Sequence, residues 1–87
     1  MSRVAVVTGG TRGIGAAISV MLKKAGYKVA ATYAGNDEAA AKFKASSGCN
    51  VYKFDVADFA ACQAAVAQIG KDLGPVEVLV NNAGITR

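Results

Sequence analysis

The stretch VAVVTGGTRGIG, from Val4 to Gly15, decides how this chain folds. An apolar run of four residues ends at Thr8, and a segment rich in glycine follows it. Beyond this segment, apolar residues recur at steps of three and four, which is typical of an amphipathic helix. These residues are Ile14, Ala17, Ile18, Met21, Leu22 and Ala25. The stretch therefore predicts a strand, a glycine turn and a helix, which together open a mononucleotide-binding unit.

The glycines in this turn have two interpretations. Glycine lets backbone N–H groups approach a pyrophosphate, and the following helix N-terminus favours the negative charge. The alternative is that the glycines only make a tight turn between a strand and a helix. Neither the G-x-G-x-x-G fingerprint nor the Gly-Lys-Ser/Thr ending of a P-loop is present. The spacing is instead Thr8-Gly9-x-x-x-Gly13-x-Gly15.

Composition indicates one domain or a part of one. The chain has 87 residues, of which 53% are hydrophobic, and a formal net charge of +4. Its ten basic residues are scattered and are not interleaved with aromatic residues, so we do not expect nucleic acid as a partner. An anionic small ligand suits this charge, although a solvated surface accounts equally well for most of the lysines.

Cysteine usage and hydropathy bear on the compartment. Cys49 and Cys62 lack C-x-x-C spacing, and the chain has no histidine, so we expect no metal site. No apolar run approaches membrane-spanning length, and residues 1–3 lead directly into the first predicted strand without room for a signal peptide. We therefore expect a cytoplasmic protein with reduced thiols and no membrane partner.

The remaining pattern predicts strands alternating with helices, in the order βαβαβαβ. Strands are predicted over 3–8, 27–33, 50–56 and 76–81, and helices over 13–25, 37–46 and 59–73. Asn36 and Asp58 are predicted N-caps, and Gly26 is a predicted helix stop. Cys62, Val66, Ile69 and Leu73 form one apolar stripe on the third helix. The fold class is thus α/β, a Rossmann-type parallel sheet with helices on both faces.

A second motif, Asn81-Asn82-Ala83-Gly84, follows the fourth predicted strand. Together with the spacing Thr8-Gly9-x-x-x-Gly13-x-Gly15, it resembles the short-chain dehydrogenase/reductase family. In that family the chain runs on well beyond this length, so we expect residues 1–87 to be the N-terminal dinucleotide-binding part of a single domain. A complete, small flavodoxin-like protein is the alternative, although it would usually have a fifth strand.

The resemblance implies a role in cofactor binding at particular positions. In the glycine loop they are Gly9, Thr11, Arg12, Gly13, Ile14 and Gly15. The hydroxyl of Thr8 is expected to tie this loop to the Asn81 segment. Asp55 and Val56 match the pair that frames the adenine ring, although Asp55 also suits a turn before Asp58.

Asn81, Ala83 and Gly84 match the segment that lines the nicotinamide ribose, and Asn81 also suits a hydrogen-bonding role at a strand end.

An NAD enzyme usually carries Asp or Glu at the end of the second strand. Here Tyr33 occupies that position. Arg12 lies in the glycine loop, where its guanidinium group suits a 2′-phosphate; the alternative for Arg12 is a surface ion pair. The resemblance therefore implies NADP as cofactor.

The catalytic Ser and Tyr-x-x-x-Lys of the family are not found in these residues, because none of the three tyrosines is followed by lysine four positions later. Within the family, the chain is most similar to the acetoacetyl-CoA reductases of polyhydroxybutyrate synthesis. That likeness implies an acyl-CoA thioester as substrate and a homotetramer at full length. The alternatives are a 3-oxoacyl-acyl-carrier-protein reductase and a dinucleotide-binding module without chemistry.

Overall fold

The computed structural model describes residues 3–11, 13–55 and 57–82. Its strands are β1 (Val4–Val7), β2 (Lys28–Tyr33), β3 (Asn50–Lys53) and β4 (Val76–Val80). Its helices are α1 (Gly13–Lys24), α2 (Asp37–Ser47) and α3 (Phe59–Leu73). The strands are parallel and lie in the order β3-β2-β1-β4. This arrangement confirms the predicted α/β fold class, with consecutive strands joined by helical crossovers.

The sheet has a hydrophobic core on each face. Val7, Val29, Ala31, Phe43 and Cys49 form one core, against which Ile18 and Leu22 of α1 pack. On the opposite face, Val4, Val6, Ala30 and Ile69 form the other core, with Leu73 of α3 packed against it. Odd-numbered residues of β2 therefore face α1 and α2, while even-numbered ones face α3, as the period of two in a strand requires.

Both predicted N-caps are confirmed. Asn36 has a left-handed backbone conformation, with φ of 53°, and its side-chain oxygen accepts from the Ala39 N–H. Asp58 accepts from the Ala61 N–H at 3.1 Å. Each cap satisfies a backbone donor that the first helical turn leaves without an intrahelical partner.

The third strand is shorter than predicted. It ends at Lys53, and Asp55, which was predicted as strand, lies in a turn, while residue 56 is outside the described residues. The carboxylate of Asp55 accepts from the Ala57 N–H, and its carbonyl oxygen accepts from the Asp58 N–H, each at 2.9 Å. An aspartate that bonds to the backbone two residues on favours a turn over a continuing strand.

The apolar stripes predicted on the helices are only partly buried. On α3, Ile69 is fully buried but Val66 is 51% exposed. On α1, Ile14 and Met21 are exposed, although Ile18 and Leu22 pack on the core. Periodicity selects a helix face, but burial also needs a neighbouring element to cover that face.

Within the described ranges, no helix combines the length and the hydropathy needed to cross a membrane. The same residues contain no group of three or more side chains of the types His, Cys, Asp and Glu that suits a metal ion.

Candidate cofactor-binding site

The glycine turn lies at the carboxyl ends of the strands, between β1 and α1. Its backbone is bonded to both neighbouring strands, because the Thr8 N–H donates to the Val80 carbonyl and the Gly10 N–H donates to the Thr32 carbonyl, each at 3.0 Å. In doubly wound sheets, ligands bind in the crevice outside these strand ends. The turn is therefore held at the place where such a fold binds its ligand.

The side chain of Thr8 ties β1 to the end of β4. Its hydroxyl lies 3.3 Å from both the Val80 carbonyl oxygen and the Asn81 Oδ1. A hydroxyl has a single proton, so it donates to one of these two acceptors at a time. This contact confirms the predicted tie between the glycine loop and the Asn81 segment.

Asn82 is a site residue that the sequence analysis missed. Its Nδ2 donates to the Gly9 carbonyl oxygen at 3.2 Å, across a separation of 73 residues. Gly15 lies at the same junction, where an added Cβ would contact the Gly9 carbonyl oxygen and lie 2.7 Å from the Asn82 Nδ2. The start of α1 thus packs directly on the first peptide of the loop, and only glycine fits there.

Ser19 is a second missed residue. It is fully buried, and its Oγ lies 3.1 Å from the Gly10 carbonyl oxygen and 2.9 Å from that of Gly15. One hydroxyl proton is therefore shared between a carbonyl of the glycine turn and a carbonyl in the first turn of α1. The available signal was a serine one helical turn beyond Gly15, beside the apolar positions of α1.

The described residues on the outer side of the loop are exposed. Gly13 begins α1 with a φ of 55°, and no described residue would lie within 4 Å of a Cβ added there. Ile14 is exposed, whereas Thr11 is buried within the loop. The first turn of α1 carries no acidic residue. Because the first N–H groups of a helix lack intrahelical acceptors, this open, acid-free N-terminus fits the pyrophosphate of a dinucleotide.

The residues predicted to lie near the adenosine lie at the end of β2 and just beyond the end of β3. Tyr33 is the last residue of β2 and is partly buried. Asp55 is exposed and forms the turn that the sequence analysis left open as an alternative. That turn holds its carboxylate at the sheet edge, so the role toward adenine and the turn role are compatible. The adenine contact stays a prediction.

Four predicted site residues lie outside the described residues. They are Arg12, Val56, Ala83 and Gly84. Asn81 is described, is exposed, and supplies the Oδ1 that faces the Thr8 hydroxyl. Its predicted second role, toward a nicotinamide ribose, stays a prediction.

The model of the short chain dehydrogenase family matches residues 3–87. An acetoacetyl-CoA reductase of Shinella zoogloeoides is 67% identical over the whole chain, which spans 36% of that protein's length. A 3-oxoacyl-acyl-carrier-protein reductase of Staphylococcus aureus is 41% identical over 92 aligned positions, and the chain spans 37% of it. A putative short-chain dehydrogenase/reductase from Sinorhizobium meliloti superposes with a TM-score of 0.84 at 37% identity, covering 99% of this chain and 42% of that one. The chain therefore belongs to the short-chain dehydrogenase family.

Proposed function

We propose that this chain is the cofactor-binding part of a reductase that converts acetoacetyl-CoA to (R)-3-hydroxybutyryl-CoA for polyhydroxybutyrate synthesis. The observation that carries the proposal is the 67% identity with an acetoacetyl-CoA reductase, against 41% with a 3-oxoacyl-acyl-carrier-protein reductase. Family and fold imply a nicotinamide dinucleotide, which when bound in its reduced form supplies a hydride to the 3-keto carbon, while a proton goes to the keto oxygen.

The described residues have a binding and orienting task in this reaction. The open N-terminus of α1 holds the pyrophosphate, while Thr8, Ser19 and Asn82 hold the loop that carries it. Fixing the loop in advance lowers the entropy that is lost when the cofactor binds. We expect no proton donor among these 87 residues, since they lack the family's Tyr-x-x-x-Lys.

NADPH is the proposed form of the cofactor. An NAD-specific fold usually places Asp or Glu at the end of the second strand, where it accepts from the ribose 2′-hydroxyl. Here Tyr33 ends β2, and Ala34 and Gly35 follow without an acid. Arg12 in the glycine loop is the proposed partner of the 2′-phosphate, with charge-assisted hydrogen bonds of about 1.5–3 kcal/mol each.

The test is steady-state kinetics of the full-length protein that contains this chain, with acetoacetyl-CoA and acetoacetyl-acyl-carrier-protein as substrates and NADPH and NADH as cofactors. We expect the highest kcat/KM with acetoacetyl-CoA and NADPH. A higher kcat/KM for the carrier-protein thioester would make the alternative reductase correct. Dinucleotide binding without turnover of either thioester would indicate a non-catalytic module.

The Arg12→Ala variant tests the cofactor assignment in the same assay. We expect a drop of about tenfold or more in kcat/KM with NADPH and little change with NADH, because only NADPH carries the phosphate. An equal drop with both cofactors would mean that Arg12 acts through the shape of the loop.

Assembly as a homotetramer belongs to the same proposal, and the mass of the full-length protein in solution checks it.

A further inference from the structure

An ion pair lies at the carboxyl ends of β2 and β3. The Lys53 Nζ is 3.1 Å from the Asp37 Oδ1 and 3.2 Å from its Oδ2, so the ammonium group contacts both carboxylate oxygens. Lys53 is the last residue of β3, and Asp37 is the first residue of α2. The pair therefore joins the end of a strand to the start of the helix that precedes it in the chain.

Strand register places this pair beside Tyr33. Tyr33 of β2 is the direct partner of Lys53 in the parallel ladder, and the Phe54 N–H donates to the Tyr33 carbonyl at 2.9 Å. Partnered residues on neighbouring strands project to the same face of a sheet. That face is the one covered by α1 and α2, because Ala31 and Val51, two residues before each of them, pack in the core beneath those helices.

The end of β2 is where dinucleotide-binding folds distinguish a ribose 2′-hydroxyl from a 2′-phosphate. A free carboxylate at this place favours the hydroxyl and repels the phosphate. Asp37 follows Tyr33 by four residues and would be such a carboxylate if it were unpaired. Lys53 contacts both of its oxygens, so the charge of Asp37 is compensated.

We propose that Lys53 is a specificity-determining residue for NADPH. It neutralises Asp37 beside the 2′ position and adds positive potential there. This inference rests on the proposed function, because it concerns the same cofactor site. Under this inference, Lys53 joins Arg12 and Tyr33 as a residue that sets the cofactor preference. It lies on a different strand from Tyr33 and outside the glycine loop.

The exposure of the pair supports a role in binding rather than in folding. The side chains of Lys53 and Asp37 are 52% and 68% exposed. Exposed ion pairs contribute little to the free energy of unfolding, because water and salt screen them. Removing Lys53 is therefore expected to leave the fold intact while changing the potential that a nearly dianionic phosphate meets.

The test measures dissociation constants of NADPH and NADH for the full-length protein by fluorescence titration at low ionic strength. Lys53→Met keeps the length of the side chain and removes its charge. We expect the ratio of NADPH to NADH affinity to fall by about three- to tenfold, through NADPH alone. Adding Asp37→Asn to Lys53→Met is expected to restore part of that ratio, because the carboxylate left without compensation is removed as well.

Lys42→Met is the matched control. Lys42 also forms an exposed ion pair on α2, with Glu38 at 3.9 Å, so its loss changes the net charge equally. It lies five residues after Asp37 in α2, and we expect no change in the ratio. The effect of Lys53→Met should also shrink in high salt, which an altered shape of the site would not cause.

The outcomes of these measurements decide between the possibilities. If the unchanged protein binds neither dinucleotide, or prefers NADH, the proposed function fails, and the inference fails with it. If it prefers NADPH but Lys53→Met leaves the ratio within twofold, only the inference is overturned. The same holds if Lys53→Met weakens both dinucleotides equally, or if Lys42→Met lowers the ratio as much. A selective loss of NADPH affinity that Asp37→Asn relieves supports the inference.

Discussion

Replacing Gly15 with alanine should damage the cofactor loop, whereas the same change at Gly70 should not. Both residues lie in helices, Gly15 in α1 and Gly70 in α3. An added Cβ at Gly15 would contact the Gly9 carbonyl oxygen, with the Gly9 carbonyl carbon at 2.8 Å and the Asn82 Nδ2 at 2.7 Å. At Gly70 it would have no neighbour within 4 Å among the residues that the structure describes.

The magnitudes follow from opposing contributions. Alanine favours a helix over glycine by up to about 1 kcal/mol at both positions. At Gly15, overpacking against backbone atoms costs about 1–3 kcal/mol, and displacing Asn82 from the Gly9 carbonyl costs about 1 kcal/mol more. The free energy of unfolding should therefore fall by about 1–3 kcal/mol for Gly15→Ala. It should rise by about 0.5–1 kcal/mol for Gly70→Ala.

Urea denaturation of the two full-length variants measures these changes, and fluorescence titration measures their affinity for NADPH. We expect Gly15→Ala to lose at least about tenfold in affinity, since a shift of one carbonyl moves the whole loop. Gly70→Ala should bind as the unchanged protein does. The reasoning is refuted if Gly15→Ala is as stable as Gly70→Ala and binds NADPH within twofold of the unchanged protein.

Three further changes have expected outcomes. Tyr33→Asp should move the kcat/KM ratio toward NADH, because the new carboxylate repels a 2′-phosphate and accepts from a 2′-hydroxyl; equal losses with both cofactors would contradict this. Thr32 Oγ1 is buried and has no hydrogen-bond partner among the described residues. Thr32→Val should therefore raise the free energy of unfolding, measured by urea denaturation, by about 0.5–1 kcal/mol. A decrease would mean that the hydroxyl has a hydrogen-bond partner. Partial burial, followed by the hydrogen bond to Asp72 and its charge, raises the pKa of Tyr52 from 10.0 to about 12. The contribution of Tyr52 to stability should be present below pH 10 and lost as the pH rises toward 12. The difference in the free energy of unfolding between the unchanged protein and Tyr52→Phe should therefore shrink over that window. A difference that stays constant would contradict this prediction.

The sequence alone determined the elements of this protein and their parallel order. These elements depend on interactions between residues that are close in the chain, so they can be predicted without a structure. Examples are the apolar runs, the glycine turn and the helix caps Asn36 and Asp58. The resemblance to the family also implied the tie from Thr8 to the Asn81 segment, and the structure shows that contact. The end of β3 was misplaced, because the turn formed by Asp55 competes with a strand within a few residues.

Only the tertiary structure decided which side chains complete the site. Asn82 reaches the Gly9 carbonyl across 73 residues, and that contact depends on the orientation of one amide at the end of β4. Lys53 meets Asp37 because strand register aligns Lys53 with Tyr33. The exposure of a side chain was likewise decided by the tertiary structure. On one apolar stripe of α3, Ile69 is buried and Val66 is exposed. Local pattern selects the face of an element, but the contacts of that face depend on which distant segments the fold brings against it.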